Sequence, residues 1–445
     1  MLLLQAARRL KSMSVTVEPE VILSTELRPP LARHEVLLEA DRCLACGGPY
    51  AVAPCTAACP ADVDVSGFVE ALAADDVLSA AETIYAANLL AGSCSRVCPV
   101  EVLCQGACVL TEDPIEIAKL QRFATDWALQ HEVPLRPAVT QTGHSVAVVG
   151  AGPAGLACAG ELAALGHTVT VFESREEVGG LVRFAIAPYR IEAEPLPAEQ
   201  RALEALGVRF RFGAQVASLE ELAAYEAVFL GVGLGDDVAM DLPGDELDGV
   251  WESLSFIEAL KTGTPPEVGD RVVVIGGGNT AIDVARESIR LGASSVTIVY
   301  RRTRADMPAY GFEVDEAEEE GVSFAFRTLP VRFLGEGRVN VVECMSMRPG
   351  PPDESGRRRP MPVPGSEFGL RVDTVVKAIG QQTRPELAAF DGLELDWGKV
   401  VVDENGRTSN NRVFSGGDAV NGGDSVVEAV RHGKRAAAAI DGSFR

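Results

Sequence analysis

Eight of the ten cysteines fall between residues 43 and 108, in two runs. The first is Cys43-x2-Cys46-x8-Cys55-x3-Cys59-Pro60 and the second Cys94-x3-Cys98-x5-Cys104-x3-Cys108. That many thiolates suffice for two four-iron clusters, which carry electrons one at a time. Structural zinc would instead use paired C-x2-C hooks or Cys/His sets. Here one C-x2-C pair is present, and no histidine lies between 43 and 108. Disulfides are a third reading, disfavoured in a reducing compartment, where clustered cysteines are more often metal ligands or redox groups. Cys158 and Cys344 stand alone and are expected to be packing residues.

Two glycine loops follow the cysteines. Gly150-Ala151-Gly152-Pro153-Ala154-Gly155 stands between an apolar run and a helical pattern, the context in which G-x-G-x-x-G binds a dinucleotide. Gly150 allows the turn, Gly152 the approach of pyrophosphate, and Gly155 close helix packing. Glu173 ends the next strand, placed to accept from ribose hydroxyls. Gly179-Gly180-Leu181 resembles the second glycine element of FAD-binding oxidoreductases. Near the C-terminus, Gly416-Gly417-Asp418 ends a strand, and Asp424 or Ser425 can cap a helix that opens at Val426 and runs to Ile440. In such flavoproteins this piece meets the ribitol and the pyrimidine edge of FAD.

The second loop, Gly276-Gly277-Gly278-Asn279-Thr280-Ala281, has alanine in place of the third glycine, a permitted variant. Tyr300 takes the place of Glu173 there, followed by Arg301 and Arg302. With no carboxylate for a 2′-hydroxyl and two guanidiniums for a 2′-phosphate, NADPH is favoured over NADH. Ala378-Ile379-Gly380 is expected to close this unit beside the nicotinamide.

These residues need elements to position them. Residues 35 to 130 read as short helices around the cysteines, with apolar positions at helical spacing in Val36 to Ala40, Val65 to Leu72 and Leu78 to Asn88. Pro134 to Gly143 reads as a linker. Beyond it strand, helix and strand alternate twice, at Val146, Ala157 and Thr168 and again at Val272, Ala281 and Val296, about 126 residues apart from Gly150 to Gly276. The expected fold is α/β: a helical iron–sulfur domain (1–135), an FAD-binding domain in two parts (136–254 and 376–445), and an NADPH-binding domain (255–375) inserted between them. The 445 residues, 47% of them hydrophobic, fit about three domains. The net charge of −24 argues against nucleic-acid binding. No stretch reads as a membrane span, and the opening Met1-Leu2-Leu3-Leu4 is too short for a signal peptide, so a cytoplasmic location is expected. The five histidines are scattered, and His432 is expected to be a solvated side chain.

The combination resembles the family shared by the small subunit of bacterial glutamate synthase, the N-terminal half of dihydropyrimidine dehydrogenase and that enzyme's bacterial small subunit. Phe229 to Gly235, Met307 to Glu313 and Gly416 to Gly423 lean toward the dihydropyrimidine branch. Proline after Cys59 and after Cys98 resembles the bacterial ferredoxin motif, whose last cysteine serves the other cluster. The resemblance implies FAD, NADPH and two [4Fe-4S] clusters, with hydride passing from NADPH to FAD and single electrons leaving through the clusters. It implies Cys43, Cys46, Cys55 and Cys108 as one ligand set. The other set would be Cys59, Cys98 and Cys104 with Gln121, or with Cys94 in place of the glutamine. Two departures stand out: the eight residues between Cys46 and Cys55, and Ala185-Ile186-Ala187 where relatives carry glycine and proline. The implied partner is a larger acceptor subunit, either an FMN-barrel dihydropyrimidine-reducing one or the glutamate synthase large subunit, or else a ferredoxin. Alternatives are a ferredoxin-NADP or sulfide oxidoreductase and a non-catalytic, metal-stabilised assembly module.

Overall fold

The structure, a computed structural model, describes residues 26–137, 139–191, 195–352 and 358–445; the leucine-rich opening segment lies outside them. The cysteine region is helical: α1 (Arg33–Asp41), α2 (Pro54–Ala57), α3 (Val65–Ala73), α4 (Val77–Ala87), α5 (Ala91–Val97) and α6 (Ile117–Gln130). α3 buries Val65, Phe68, Val69 and Leu72, one face at helical spacing. Asp64 and Asp76 cap α3 and α4 by accepting from Gly67 N–H at 3.1 Å and Ser79 N–H at 3.0 Å.

A parallel five-stranded sheet follows in the order β16-β4-β1-β2-β3. Its strands are β1 (Ser145–Val149), β2 (Thr168–Phe172), β3 (Arg209–Arg211), β4 (Ala227–Leu230) and β16 (Val413–Ser415), with α7 (Pro153–Ala164) crossing from β1 to β2. α8 (Leu181–Phe184) and α9 (Leu196–Ala205) lie between β2 and β3. A second parallel sheet, β5-β13-β6-β7-β8, is built from β5 (Val250–Glu252), β6 (Arg271–Ile275), β7 (Ser295–Tyr300), β8 (Ser323–Phe326) and β13 (Thr374–Lys377). α10 (Ser253–Lys261), α11 (Asn279–Arg290) and α12 (Gly311–Glu319) belong to this unit. Since β4 and β16 pair directly, the whole second sheet is inserted between adjacent strands of the first. Its strands reach a few residues to either side of the 255–375 division.

Between β8 and β13 lies an antiparallel ladder that the repeat pattern does not announce: β9 (Thr328–Glu336), β10 (Arg338–Pro352), β11 (Arg358–Pro362) and β12 (Phe368–Arg371). The short antiparallel pair β14 (Leu395–Asp396) and β15 (Lys399–Val400) precedes β16. The chain closes with α13 (Asp418–Asn421) and α14 (Val426–Ser443).

The stretch read as a linker is packed down. Leu135 is buried, Arg136 pairs with Glu161 at 3.0 Å, and Thr142 N–H donates to the Gly166 carbonyl at 2.9 Å. One hydrophobic core runs from the cysteine helices into α7 and α14. Among the described residues no helix is long and apolar enough to cross a membrane.

Candidate functional site

The first glycine loop is tight. Gly150 has φ +99°, and a Cβ there would lie 2.5 Å from the Gly231 carbonyl oxygen. A Cβ on Gly155 would lie 1.9 Å from the Gly150 oxygen, so α7 starts as close to β1 as a backbone permits. Pro153 and Ala154 form its first turn, and a Cβ on Gly180 would touch Gly152 Cα at 3.0 Å, which stacks the second glycine element and Leu181 on the first loop. Glu173 reaches back to the loop. Its Oε2 accepts from Ala151 N–H and its Oε1 from Arg175 N–H, both at 2.8 Å.

The C-terminal piece closes against the same helix. A Cβ on Gly417 would contact Ala154 Cβ at 3.0 Å, and one on Gly433 would lie 2.3 Å from the Ala154 oxygen, so α14 crosses α7 backbone to backbone. Ser425, not Asp424, is the cap: Glu428 N–H donates to Ser425 Oγ at 3.4 Å. Asp418 is pushed up to about 6, by burial first and then by the Asp424 charge, against a hydrogen bond from Asp424 N–H. His432 is not a solvated side chain. Its Nδ1 accepts from Gly417 N–H at 3.0 Å, and burial lowers its pKa, so the neutral ring holds the Gly-Gly-Asp turn. Cys158, buried in α7, and Cys344, in β10, are packing residues.

In the second loop Gly276 presses on the closing segment, where a Cβ would stand 2.1 Å from the Ala378 oxygen. Gly278 caps α11, Asn279, Thr280 and Ala281 begin it, and Ile379 and Gly380 follow Ala378 at the strand end. Tyr300 fills the carboxylate position with its ring: a Cβ on Gly277 would touch it at 2.6 Å, and its hydroxyl donates to the Asp306 carbonyl at 2.7 Å. Arg301 and Arg302 line a cavity of about 540 Å³ with Arg327, Arg348 and Arg358 from the antiparallel ladder. Arg302 Nε is buried there without a hydrogen-bond partner.

Both cysteine runs fold onto themselves and cross. Cys43, Cys46, Cys55 and Cys108 line one apolar cavity, so the long Cys46–Cys55 loop still delivers Cys55. Burial raises the Cys43 and Cys55 pKa values, with neighbouring thiols adding to it. In the second group the Cys98 thiol is in hydrogen-bonding contact with Cys94, which together with burial pushes it well up; Cys104 and Cys59 add to this. Cys104 is pushed up to about 12 by burial and by Cys59. With pKa values raised, these cysteines stand as neutral thiols, and a cationic centre among them would displace their protons, which is the chemistry that cluster ligands require. Gln121 Nε2 donates to the Ala91 carbonyl at 2.9 Å, tying the glutamine to the helix that carries Cys94.

Residues 144–433 match the model of the pyridine nucleotide-disulphide oxidoreductase family, and residues 22–133 match that of dihydropyrimidine dehydrogenase domain II, 4Fe-4S cluster. The chain is 38% identical to the glutamate synthase [NADPH] small chain of Halomonas elongata, over 93% of this chain and 92% of that one. It belongs to the glutamate synthase small-chain family. The Escherichia coli glutamate synthase [NADPH] small chain is 37% identical over 93% of each chain. The NADP(+)-dependent formate dehydrogenase subunit beta of Moorella thermoacetica is also 37% identical, over 89% of this chain and 60% of its own. Mycobacterium tuberculosis FprA in complex with NADPH shares the fold at TM-score 0.57 and 20% identity, covering 68% of this chain and 84% of its own. This family member is an NAD(P)H-dependent FAD and iron–sulfur oxidoreductase.

Other residues that join the parts of this small-chain relative carry no motif. Tyr189 N–H donates to Glu287 Oε1 at 3.1 Å, and Arg190 pairs with Asp283 at 2.6 Å and Glu313 at 2.9 Å, all across the two nucleotide units. Lys261 Nζ donates to the carbonyls of Val182, Ile186 and Ile191 at 2.8, 3.0 and 3.2 Å. Burial lowers its pKa to about 7. Tyr310 sits against the second glycine loop. Its N–H donates to Asn279 Oδ1 at 3.0 Å, and its phenol pKa is raised by burial, then by Asp424, Glu313 and Cys98 nearby.

Proposed function

We propose that the chain is the NADPH-oxidising, electron-input subunit of a larger oxidoreductase. In this reading Gly150, Gly152, Pro153, Ala154 and Gly155 cradle the FAD pyrophosphate, Glu173 meets the ribose, and Gly180 and Leu181 cover the loop. Gly417, Asp418, Ser425 and Val426 face the flavin ring. Gly276, Gly278, Asn279, Thr280 and Ala281 hold the NADPH pyrophosphate, Arg301 and Arg302 take the 2′-phosphate, and Ala378, Ile379 and Gly380 stand by the nicotinamide. One [4Fe-4S] cluster is held by Cys43, Cys46, Cys55 and Cys108, and a second by Cys59, Cys98 and Cys104 with Gln121 or Cys94.

When bound, NADPH supplies a hydride, FAD divides the electron pair, and the clusters carry single electrons. The chain's own part is orientation and charge. The Ser425-capped start of α14 directs its positive end at the flavin position, and His432 fixes the Gly417 amide beside it. The observation that carries this reading is the packing of the C-terminal piece on the first glycine loop, where Gly417 meets Ala154 and α14 crosses α7 at Gly433.

Similarity to glutamate synthase small chains over 93% of the chain, at 37–38% identity, favours a large glutamate synthase-type subunit as acceptor. The match of residues 22–133 keeps an FMN-barrel, dihydropyrimidine-reducing acceptor as the second reading. Purification from the native host, with identification of the co-purifying subunit, decides between them. Anaerobic NADPH should bleach flavin and cluster absorption in the isolated chain; a colourless, zinc-containing preparation would overturn the reading.

A further inference from the structure

We infer that Arg28 is a positioning residue for the Cys59, Cys98 and Cys104 group, one that raises the reduction potential of the cluster held there. The inference rests on the ligand reading above. Arg28 is only 9% exposed, yet it stands at the edge of the described chain, 70 residues before Cys98. Its Nη1 donates to the carbonyl of Cys98 at 2.8 Å and to that of Arg96 at 3.1 Å. Its Nη2 donates to both carboxylate oxygens of Glu101, at 2.9 and 3.1 Å. The guanidinium therefore spans the turn that leads from Cys98 toward Cys104, fixing the peptide of one ligand.

Arg28 is itself held in place. Arg122 Nη1 donates to the Arg28 carbonyl at 2.5 Å and Arg122 also pairs with Glu26, while Leu27 N–H donates to the Tyr189 carbonyl at 2.6 Å. Tyr189 in turn is bonded to α11, so residues 26–28 strap the cysteine turn to both nucleotide units.

The electrostatic sign follows from burial and pairing. A thiolate-ligated cluster gains negative charge on reduction, so a fixed cation next to a ligand favours the reduced form. Glu101 offsets part of that cation, but its side chain is 33% exposed and its charge is better screened. Of the other nearby cations, Arg96 is engaged by Asp126 at 3.0 Å, while Lys434, bonded to the Ala61 carbonyl, acts on Cys59 and leaves the Cys98 peptide to Arg28.

The test is a redox titration of the full-length, iron-loaded protein followed by electron paramagnetic resonance, with flavin and iron content measured on each variant. Arg28→Met should lower one cluster's midpoint by about 59 mV, a tenfold fall in its reduced-to-oxidised ratio at fixed potential for a one-electron couple. Glu101→Gln should move the same cluster upward, and Arg28→Lys should restore most of the loss. The other cluster and the flavin should stay in place. Iron-replete Arg28→Met and Glu101→Gln proteins that titrate like the parent, or equal shifts of both clusters, would overturn the inference. If Arg28→Met does not fold, the direction of the Glu101→Gln shift decides alone. A parent protein with no cluster signal would remove the ligand reading, and the inference with it.

Discussion

The phenol of Tyr189 donates to Asp283 Oδ1 at 2.6 Å, fastening the segment after α8 in the first nucleotide unit to α11 in the second. The guanidiniums of Arg286 and Arg290 lie 4.6 and 4.5 Å from the Tyr189 ring centroid, so the residue is clamped on its face as well as at its tip. Tyr189→Phe removes one buried hydrogen bond and should cost about 1–3 kcal/mol. Asp283→Ala also strips Arg190 of a buried partner and should cost more, about 3–5 kcal/mol. Thermal denaturation ranks the two variants, and stopped-flow flavin reduction by NADPH should slow in the same order. Variants that melt at the parent's temperature would show that the clamp contributes nothing.

Glu199 and Lys261 make opposite demands on pH. Glu199, in α9, accepts from Ser93 N–H at 2.8 Å and from Ser93 Oγ–H at 2.6 Å, and burial pushes its pKa up to about 7 from an ordinary 4.5. The folded state keeps a proton that the unfolded chain releases, so this group's contribution is complete below pH 4.5 and is lost as pH rises to about 7. The total is about 3 kcal/mol. Lys261, lowered to about 7 from 10.5, costs stability while charged, and that cost is relieved as pH rises from 7 to 10.5. Glu199→Gln should flatten the melting-temperature profile between pH 5 and 7, and Lys261→Met the profile above 7.

The glycine loops separate the two nucleotides. Gly155→Ala puts a Cβ 1.9 Å from the Gly150 oxygen and should yield protein short of flavin. Gly276→Ala puts one 2.1 Å from the Ala378 oxygen at φ +149°, and should retain flavin while raising KM for NADPH. The flavin-to-protein ratio after purification checks the pair; full flavin in Gly155→Ala would contradict the loop assignment.

Replacing Arg301 and Arg302 together by glutamate should lower kcat/KM for NADPH by about tenfold or more, the scale of a charge-assisted contact, and leave NADH little changed. Equal losses for both nucleotides would mean that these arginines do not read the 2′-phosphate.

The fourth ligand of the second cluster is open to a direct count. If Gln121 serves, Gln121→Ala should lower iron content or alter one cluster's spectrum while Cys94→Ser leaves it intact. The reverse pattern would assign Cys94, whose thiol already contacts Cys98.

The regular parts of this protein were legible because local physics and global role coincide in them. A loop that must admit pyrophosphate needs glycine wherever a Cβ would collide, and the collisions at Gly155 and Gly276 are the reason for that spacing. Parallel strands buried on both faces read as continuous apolar runs, so β1, β2, β6 and β7 could be seen directly. β9 to β12 could not, because their faces are partly exposed and β10 carries prolines and glycine at its end.

By itself the sequence determined the inventory: eight clustered thiols, two dinucleotide loops, arginine in place of a second carboxylate, and the inserted order of the units. Tertiary structure decided which of these meet. It crossed the cysteine runs, turned His432 inward onto Gly417, and made Tyr189, Arg190, Lys261 and Arg28 into joints between units. The physical reason is that such joints consist of single polar side chains meeting buried backbone or charge far along the chain. Arg28 and Cys98, 70 residues apart, leave no periodicity and no motif; only the folded core, which must satisfy every buried donor, brings them together.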